Sequence, residues 1–266
     1  MSGHAAGRPE IDRLVAAAEA AADVAGAAIR PLFRGRVAAE LKADRSPVTI
    51  ADRSAEQAMR AVLAECFPDH GIEGEEFGLD RPGAGLRWVL DPIDGTRAFI
   101  TGRPTFGTLI ALLEDERPIL GVIDQPITGE RWIGAAGRPT AFRGPFGGTP
   151  GCRRCASLAE ADLSCTSPEL LGARRPAWQN LAAAVRRVSW GGDCYAHGLL
   201  ALGHIDIIAE ADLKVWDWAA LAPVIEGAGG RITDWDGRGL RRDGDGTALA
   251  VGNPALLEPA VALLGG

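Results

Sequence analysis

Basic charge is in deficit: 28 Lys and Arg stand against 35 Asp and Glu, a formal charge of −7. A chain of this balance lacks the basic face that nucleic-acid binders carry, so such a partner is not expected. Long hydrophobic runs are missing as well. No stretch approaches a bilayer span, which argues against a membrane protein. The opening "MSGHAAGRPEIDRL" has no apolar core of signal-peptide length, and a cytoplasmic protein is expected. Cysteine is sparse and odd in number, five in all, which fits a reducing compartment better than a disulfide framework. The pair Cys152 and Cys155 in "CRRC" has no second pair at zinc-site spacing and reads as incidental thiols. Internal repeats and low-complexity linkers are absent too. What remains is 266 residues, 47% hydrophobic and 24% charged, enough for one large domain or two intimately packed ones.

The apolar pattern changes along the chain. Residues 10 to 33 are alanine-rich, with Ile11, Leu14, Val15 and Ala18 at helical spacing, and predict a first amphipathic helix. "SPVTIADRSAEQAMRAVLAECFPDHG" predicts an extended entry and a helix from about Arg53 to Cys66, closed by Pro68 and Gly71. From 86 to 136, "LRWVLD", "GTLIALLE", "ILGVIDQP" and "ERWIGAAG" are short apolar runs between turn residues and predict a sheet. The Gly-, Pro- and Arg-rich segment 137–161 marks a boundary between two lobes, placed as 1–145 (α+β) and 146–266 (α/β). Beyond it, strands at "DLSCTS", "RVSWGG" and "HIDIIAE" alternate with helices near 176–186, 194–202 and 217–227. "GGRITDWDG" and "TALAVGN" close the sheet, and "ALLEPAVALLG" is a final helix. The order is not strict β-α-β winding.

The chemistry is carried by acids. "WVLDPIDGT" sets Asp91 and Asp94 at the end of a buried strand, where ionised carboxylates need a cation or several donors to compensate them. Asp52 stands at the mouth of a helix, Glu75 and Glu76 sit in the glycine-flanked "GIEGEEFG", and Asp217 lies in "VWDWAALAPVIEGAGG", on a helix otherwise facing apolar neighbours. Scattered carboxylates plus a main-chain carbonyl suit hard cations such as magnesium. Two such ions can clamp a phosphate for in-line attack. Each residue also has a local reading. Asp52 serves as an N-cap, the Glu pair as a solvated turn, Asp91 and Asp94 as acceptors for turn amides, and Asp217 as a helix cap or a partner of Lys214.

Taken together, "SPVTIAD" (46–52), "GEE" (74–76), "DPIDGT" (91–96) and "WDWAALAPVIEGAGG" (216–230) resemble the signatures of the inositol monophosphatase family, in order and over residues 10 to 264. The resemblance implies a layered α/β/α/β/α sandwich of the inositol monophosphatase/fructose bisphosphatase type. It implies a lithium-sensitive, magnesium-dependent phosphatase, commonly a homodimer, holding two or three Mg2+. Glu75, Asp91 and the carbonyl of Ile93 would hold one ion, and Asp91, Asp94 and Asp217 a second, with a third leaning on Glu75. Thr96, oriented by Asp52 and supported by Glu76 through solvent, would position and deprotonate the attacking water. The amides of Gly95 and Thr96 would receive the phosphate. Lys42 either approaches the metals through its loop or is solvated.

"DGTRAFITGRPTFGTLIALL" and "GGDCYAHGLLALGHIDIIAEADLKVWDW" resemble the histidinol-phosphatase branch of the family more than its inositol branch. Histidinol phosphate carries an ammonium and an imidazole, for which carboxylates opposite the metals are suitable partners. Asp193 and Glu210 are the candidates, though an acid at 210 also serves inositol enzymes, and "GGD" before a helix gives Asp193 a second reading as an N-cap. Arg97 stands at the pocket rim or in solvent. Trp190 and Tyr195 are candidates to stack on an imidazole, with core packing preferred for Trp190; His197 and His204 read as structural or surface residues. The alternatives are an inositol-1-monophosphatase or other small phosphate-ester phosphatase, and a non-catalytic binding partner of a larger complex.

Overall fold

Alanine decides how the chain begins. The computed structural model describes residues 8–35, 39–41 and 47–265, so Lys42 and Ser46 lie outside the described residues. Helix α1 (Arg8–Ile29), continued by a 3-10 turn to Leu32, buries Ile11, Leu14, Ala18, Ala21, Ala22, Ala25 and Ile29. These are mostly small residues at i, i+3, i+4 spacing, which let a second helix approach closely. After the short strands β1 (Glu40–Leu41) and β2 (Pro47–Val48), that second helix is α2 (Ile50–Cys66), which buries Ala51, Ala55, Met59 and Leu63. It starts three residues earlier than "about Arg53" because Thr49 caps it: the Thr49 hydroxyl accepts from Ala51 N at 3.1 Å, and Asp52 Oδ2 accepts from Thr49 N at 2.8 Å. Asp52 is therefore the third-position member of a capping box, not the N-cap.

Seven strands follow: β3 (Gly71–Gly74), β4 (Gly78–Asp80), β5 (Leu86–Asp94), then, after α3 (Thr96–Ile100), β6 (Gly107–Glu114), β7 (Arg117–Gln125), β8 (Glu130–Ala135) and β9 (Ala141–Arg143). They form one sheet in the order β4-β3-β5-β6-β7-β8-β9, antiparallel except for the β3–β5 pair. Its middle strands are apolar at consecutive positions because both faces are covered. Trp88, Leu90, Ile110, Leu112 and Val122 pack with α1 and α2, while Val89, Leu109, Ala111, Leu113 and Ile123 face the other way. Burying each such Leu, Ile or Val contributes roughly 1.5–3 kcal/mol.

The second sheet comprises β10 (Asp162–Cys165), β11 (Arg187–Trp190), β12 (Ile207–Glu210), β13 (Arg231–Thr233) and β14 (Ala248–Val251), ordered β11-β10-β12-β14-β13. The first three are mutually parallel, and β14 is antiparallel to both its neighbours. Between the sheets lie α5 (Asp193–Ala201), α6 (Val215–Trp218) and α7 (Leu221–Gly227); α4 (Arg175–Ala184) and α8 (Leu257–Leu264) cover the outer face. The result is the expected α/β/α/β/α layering. Glycine makes the middle interface possible, since a Cβ on Gly121 would stand 2.1 Å from the Ala220 carbonyl and one on Gly134 2.2 Å from the Pro223 backbone.

Two expectations need correction here. The single helix expected near 217–227 is two, broken at Ala219–Ala220. Pro223 explains the break, because in a continuous helix its ring would clash with the carbonyl of Ala219. Trp190 is not core: it sits on the edge strand β11, 47% exposed, with its ring 4.7 Å from that of Trp178.

Candidate active site

Residues i and i+3 of a regular strand point to opposite faces. Asp91 and Asp94 escape that rule through a bulge. Against β6, Asp91 pairs with Leu109 and Asp94 with Gly107, so three steps on β5 match two on β6. Pro92, which has no N–H to give the ladder, lies in the extra step, and its carbonyl is held by the Thr108 hydroxyl at 2.8 Å. Asp91 Oδ1 accepts from Ile93 N at 3.0 Å. Asp217, near the start of α6, accepts from Lys214 N at 2.6 Å. Carboxylate oxygens of Asp91, Asp94 and Asp217 thereby come within 4.8 Å of one another. Glu75 follows β3 beside this group, its N–H donating to the Leu90 carbonyl at 3.2 Å.

Such crowding shifts the acids. Asp91 and Asp94 are pushed well above the usual carboxylate range, first by burial, then by Glu75 for Asp91 and by Asp193 for Asp94. Burial, with Glu75 and Glu210 adding repulsion, raises Asp217 to about 7. Oxygen-only donors that repel one another in a buried corner fit a hard divalent cation, whose charge would let them ionise.

The next turn carries Gly95 and Thr96. Gly95 has φ +90°, and a Cβ there would lie 2.7 Å from the Asp193 carboxyl carbon, so both conformation and space require glycine. The Thr96 hydroxyl has two acceptors in reach, Ile93 O at 3.2 Å and Asp52 Oδ1 at 3.4 Å. Burial raises Asp52 to about 6 against the Thr49 hydrogen bonds, with Glu76 repulsion adding to the rise.

A cavity of about 380 Å³ opens beside these groups and brings together Glu75, Asp91, Ile93, Asp94, Gly95, Thr96, Arg97, Asp193, Glu210 and Asp217. Asp52 and Glu76 do not line it; Asp52 reaches it through Thr96. Asp193 is not the N-cap of α5, a place taken by Gly192, and has φ +43°. The carboxyl of Asp193 is raised to about 7 by burial and by Glu210, against Arg97 and Arg103. The following N–H, of Cys194, donates to Asp94 Oδ2 at 2.5 Å. Tyr195 points elsewhere, its hydroxyl donating to Glu130 at 2.8 Å beside Trp132. His197 is buried, and His204 is exposed. The cysteines are free thiols; Cys155 donates to the Ser157 carbonyl.

Arg103, Thr105, Thr166 and Ser167 also line the cavity, unforeseen in the sequence. Thr166 fixes Glu210, its hydroxyl at 2.6 Å and its N–H at 3.1 Å from Oε1. A signal was there: "CTS" ends β10, parallel to β12 that ends at Glu210, and ligands gather at the carboxyl ends of parallel strands.

This chain belongs to the inositol monophosphatase family, whose sequence model matches residues 10–264, and is a phosphatase of that family. Among its relatives, the chain is 48% identical over 244 residues to the chloroplastic bifunctional phosphatase IMPL2 of Arabidopsis thaliana, covering 91% of this chain and 70% of that protein. It is 42% identical over 205 residues to the histidinol-phosphatase of Mycobacterium tuberculosis, covering 74% of this chain and 78% of that one. The solved structure of an inositol monophosphatase from Zymomonas mobilis superposes with a TM-score of 0.87 at 48% identity, over 98% of this chain and 100% of that one.

Proposed function

We propose that the chain is a magnesium-dependent phosphomonoester hydrolase acting on histidinol phosphate. The observation that carries this reading is one cavity with a cation-seeking carboxylate cluster, Asp91, Asp94 and Asp217, and a second acidic pair, Asp193 and Glu210. Asp91, Asp94, Asp217, Glu75 and the Ile93 carbonyl would hold the metal, which would offset the phosphate charge and make a water nucleophilic. The Thr96 hydroxyl, within reach of Asp52, orients that water and passes its proton toward the Asp52 carboxylate. The N–H groups of Gly95 and Thr96 receive phosphate oxygens. Asp193 and Glu210 face the ammonium of the leaving group, with Arg97 at the rim. The histidinol-phosphatases of Mycobacterium tuberculosis, Chlorobaculum parvum and Streptomyces coelicolor, 34% to 42% identical, support this choice of ester.

A second reading, inositol 1-phosphate, is favoured by the Zymomonas mobilis structure. Phosphate release from L-histidinol phosphate and inositol 1-phosphate, compared as kcat/KM, decides between them. The expected result is a strong preference for histidinol phosphate; preference for the inositol ester would overturn this choice. At pH 8, above the value of about 7 for Asp193, Asp193→Asn should reduce the histidinol phosphate kcat/KM about tenfold more than the inositol one, from loss of one charge-assisted hydrogen bond. Equal losses on both esters would remove Asp193 from the ammonium site.

A further inference from the structure

We propose that Glu56 is a positioning residue, its carboxylate on α2 fixing the turn that presents Glu75 to the cavity. The inference rests on the phosphatase reading and deepens it. Glu56 is 0% exposed, and a charge so placed must be met by donors. Three converge on it. Glu76 N donates to Oε2 at 2.8 Å, while Phe77 N at 3.2 Å and Arg60 Nε at 2.8 Å donate to Oε1. On the other side of Glu75, Gly74 is pressed against the same group, since a Cβ there would fall 1.9 Å from Glu56 Oε1. Glu75 thus lies between a residue in contact with the Glu56 carboxylate and one bonded to it, while its own N–H is tied to β5 at Leu90. Both flanks of the residue are pinned.

Asp52 stands one helical turn before Glu56 on α2, both buried. The two carboxylates divide the work: Asp52 reaches Thr96 on the turn after β5, and Glu56 holds the turn after β3. A single helix face therefore contacts both the turn that carries Glu75 and the turn that carries Thr96. A plain i, i+4 ion pair with Arg60 is the competing account, and it makes a different demand. Arg60 also binds Asp80 at 2.8 Å and the Gly78 carbonyl, whereas the two amide donors to Glu56 belong to the backbone of Glu76 and Phe77 and remain when the Arg60 side chain is lost. A plain ion pair predicts a loss of Tm in either variant with no selective effect on the metal; a positioning carboxylate predicts the metal effect for Glu56 alone.

The test is a magnesium titration of the full-length protein read by Tm without substrate, and in parallel by kcat at saturating substrate. It covers the wild type, Glu56→Gln, Glu56→Asp and Arg60→Met. Glu56→Gln keeps the volume but sets an NH2 against either Arg60 or the two amides; Glu56→Asp keeps the charge and loses reach. Both should raise the magnesium midpoint about tenfold or more, as loss of groups that orient metal ligands does. Arg60→Met should lower Tm and leave the midpoint near that of the wild type. A wild-type midpoint in Glu56→Gln, or an equal displacement in Arg60→Met, would overturn the proposal. If Glu56→Gln does not fold, Glu56→Asp against Arg60→Met makes the same comparison. A wild type that binds magnesium yet releases no phosphate sinks the phosphatase reading alone, because the midpoints are still read from Tm.

Discussion

Asp94→Asn is expected to lower kcat by roughly a thousandfold while leaving Tm in metal-free buffer unchanged or higher. The two effects have one cause. Asp94 is half-buried and repelled by Asp193 and Asp217, so without a cation its charge works against the fold. Asparagine removes that charge and still offers an oxygen to the Cys194 N–H, which Asp94 accepts at 2.5 Å. Loss of one metal ligand removes part of a Lewis-acid contribution worth several kcal/mol, and about 4 kcal/mol corresponds to a factor of roughly 10³. The rise of Tm on adding magnesium should shrink in the same variant. Wild-type turnover in a folded Asp94→Asn protein would rule this carboxylate out of the site.

Much of this site is legible because its motifs are local and its strands are apolar on both faces. "WVLDPIDGT" announced acids at a strand end, but their convergence depends on the β5–β6 register, which places the extra residue at Pro92–Ile93. No window of sequence contains that pairing. The start of α2 is readable in Thr49 and Asp52, which have the spacing of a capping box. Residue type favours the core for Trp190, yet its place follows from the order β11-β10-β12, which leaves β11 at an edge. Glu56 gave no local sign, since the amides it holds lie 20 and 21 residues away. The break in α6–α7 was written in Pro223, whose effect falls four residues upstream. What stayed hidden in each case is a partner distant in sequence; what could be read is a backbone constraint carried by the residue itself.

The same electrostatics predicts an inverted pH response. Metal-free protein should lose about 5–10 °C of Tm between pH 6.5 and 8, and magnesium should abolish the part of that loss contributed by Asp91, Asp94 and Asp217. In the folded chain Asp52 lies at about 6, Asp193 and Asp217 at about 7, and Asp91 and Asp94 well above 3.8, all raised first by burial. A carboxyl raised above its unfolded value stabilises the fold while protonated. That stability is complete below about pH 4 and is lost as pH rises through the folded values. Averaged over the window these partly protonated groups hold about one to one and a half extra protons in the folded chain, which at about 1.4 kcal/mol per proton per pH unit is roughly 2–3 kcal/mol and gives the stated shift at roughly 2–4 °C per kcal/mol. The carboxyls of Asp162, Glu116 and Asp245, held low by arginine or threonine partners, lose their stabilisation only toward acid, below the window. Burial lowers His197 to about 4, so it acts in the opposite sense between about pH 4 and 6.5, which is why the scan begins at 6.5. Asp52, Asp193, Glu56, Asp124 and Glu210 are also raised by burial but stand outside the cluster of Asp91, Asp94 and Asp217, so the part of the slope that magnesium cancels reports the cluster itself. A metal-free Tm that is flat from pH 6.5 to 8, or a slope that magnesium leaves untouched, would mean that Asp91, Asp94 and Asp217 do not share a cation.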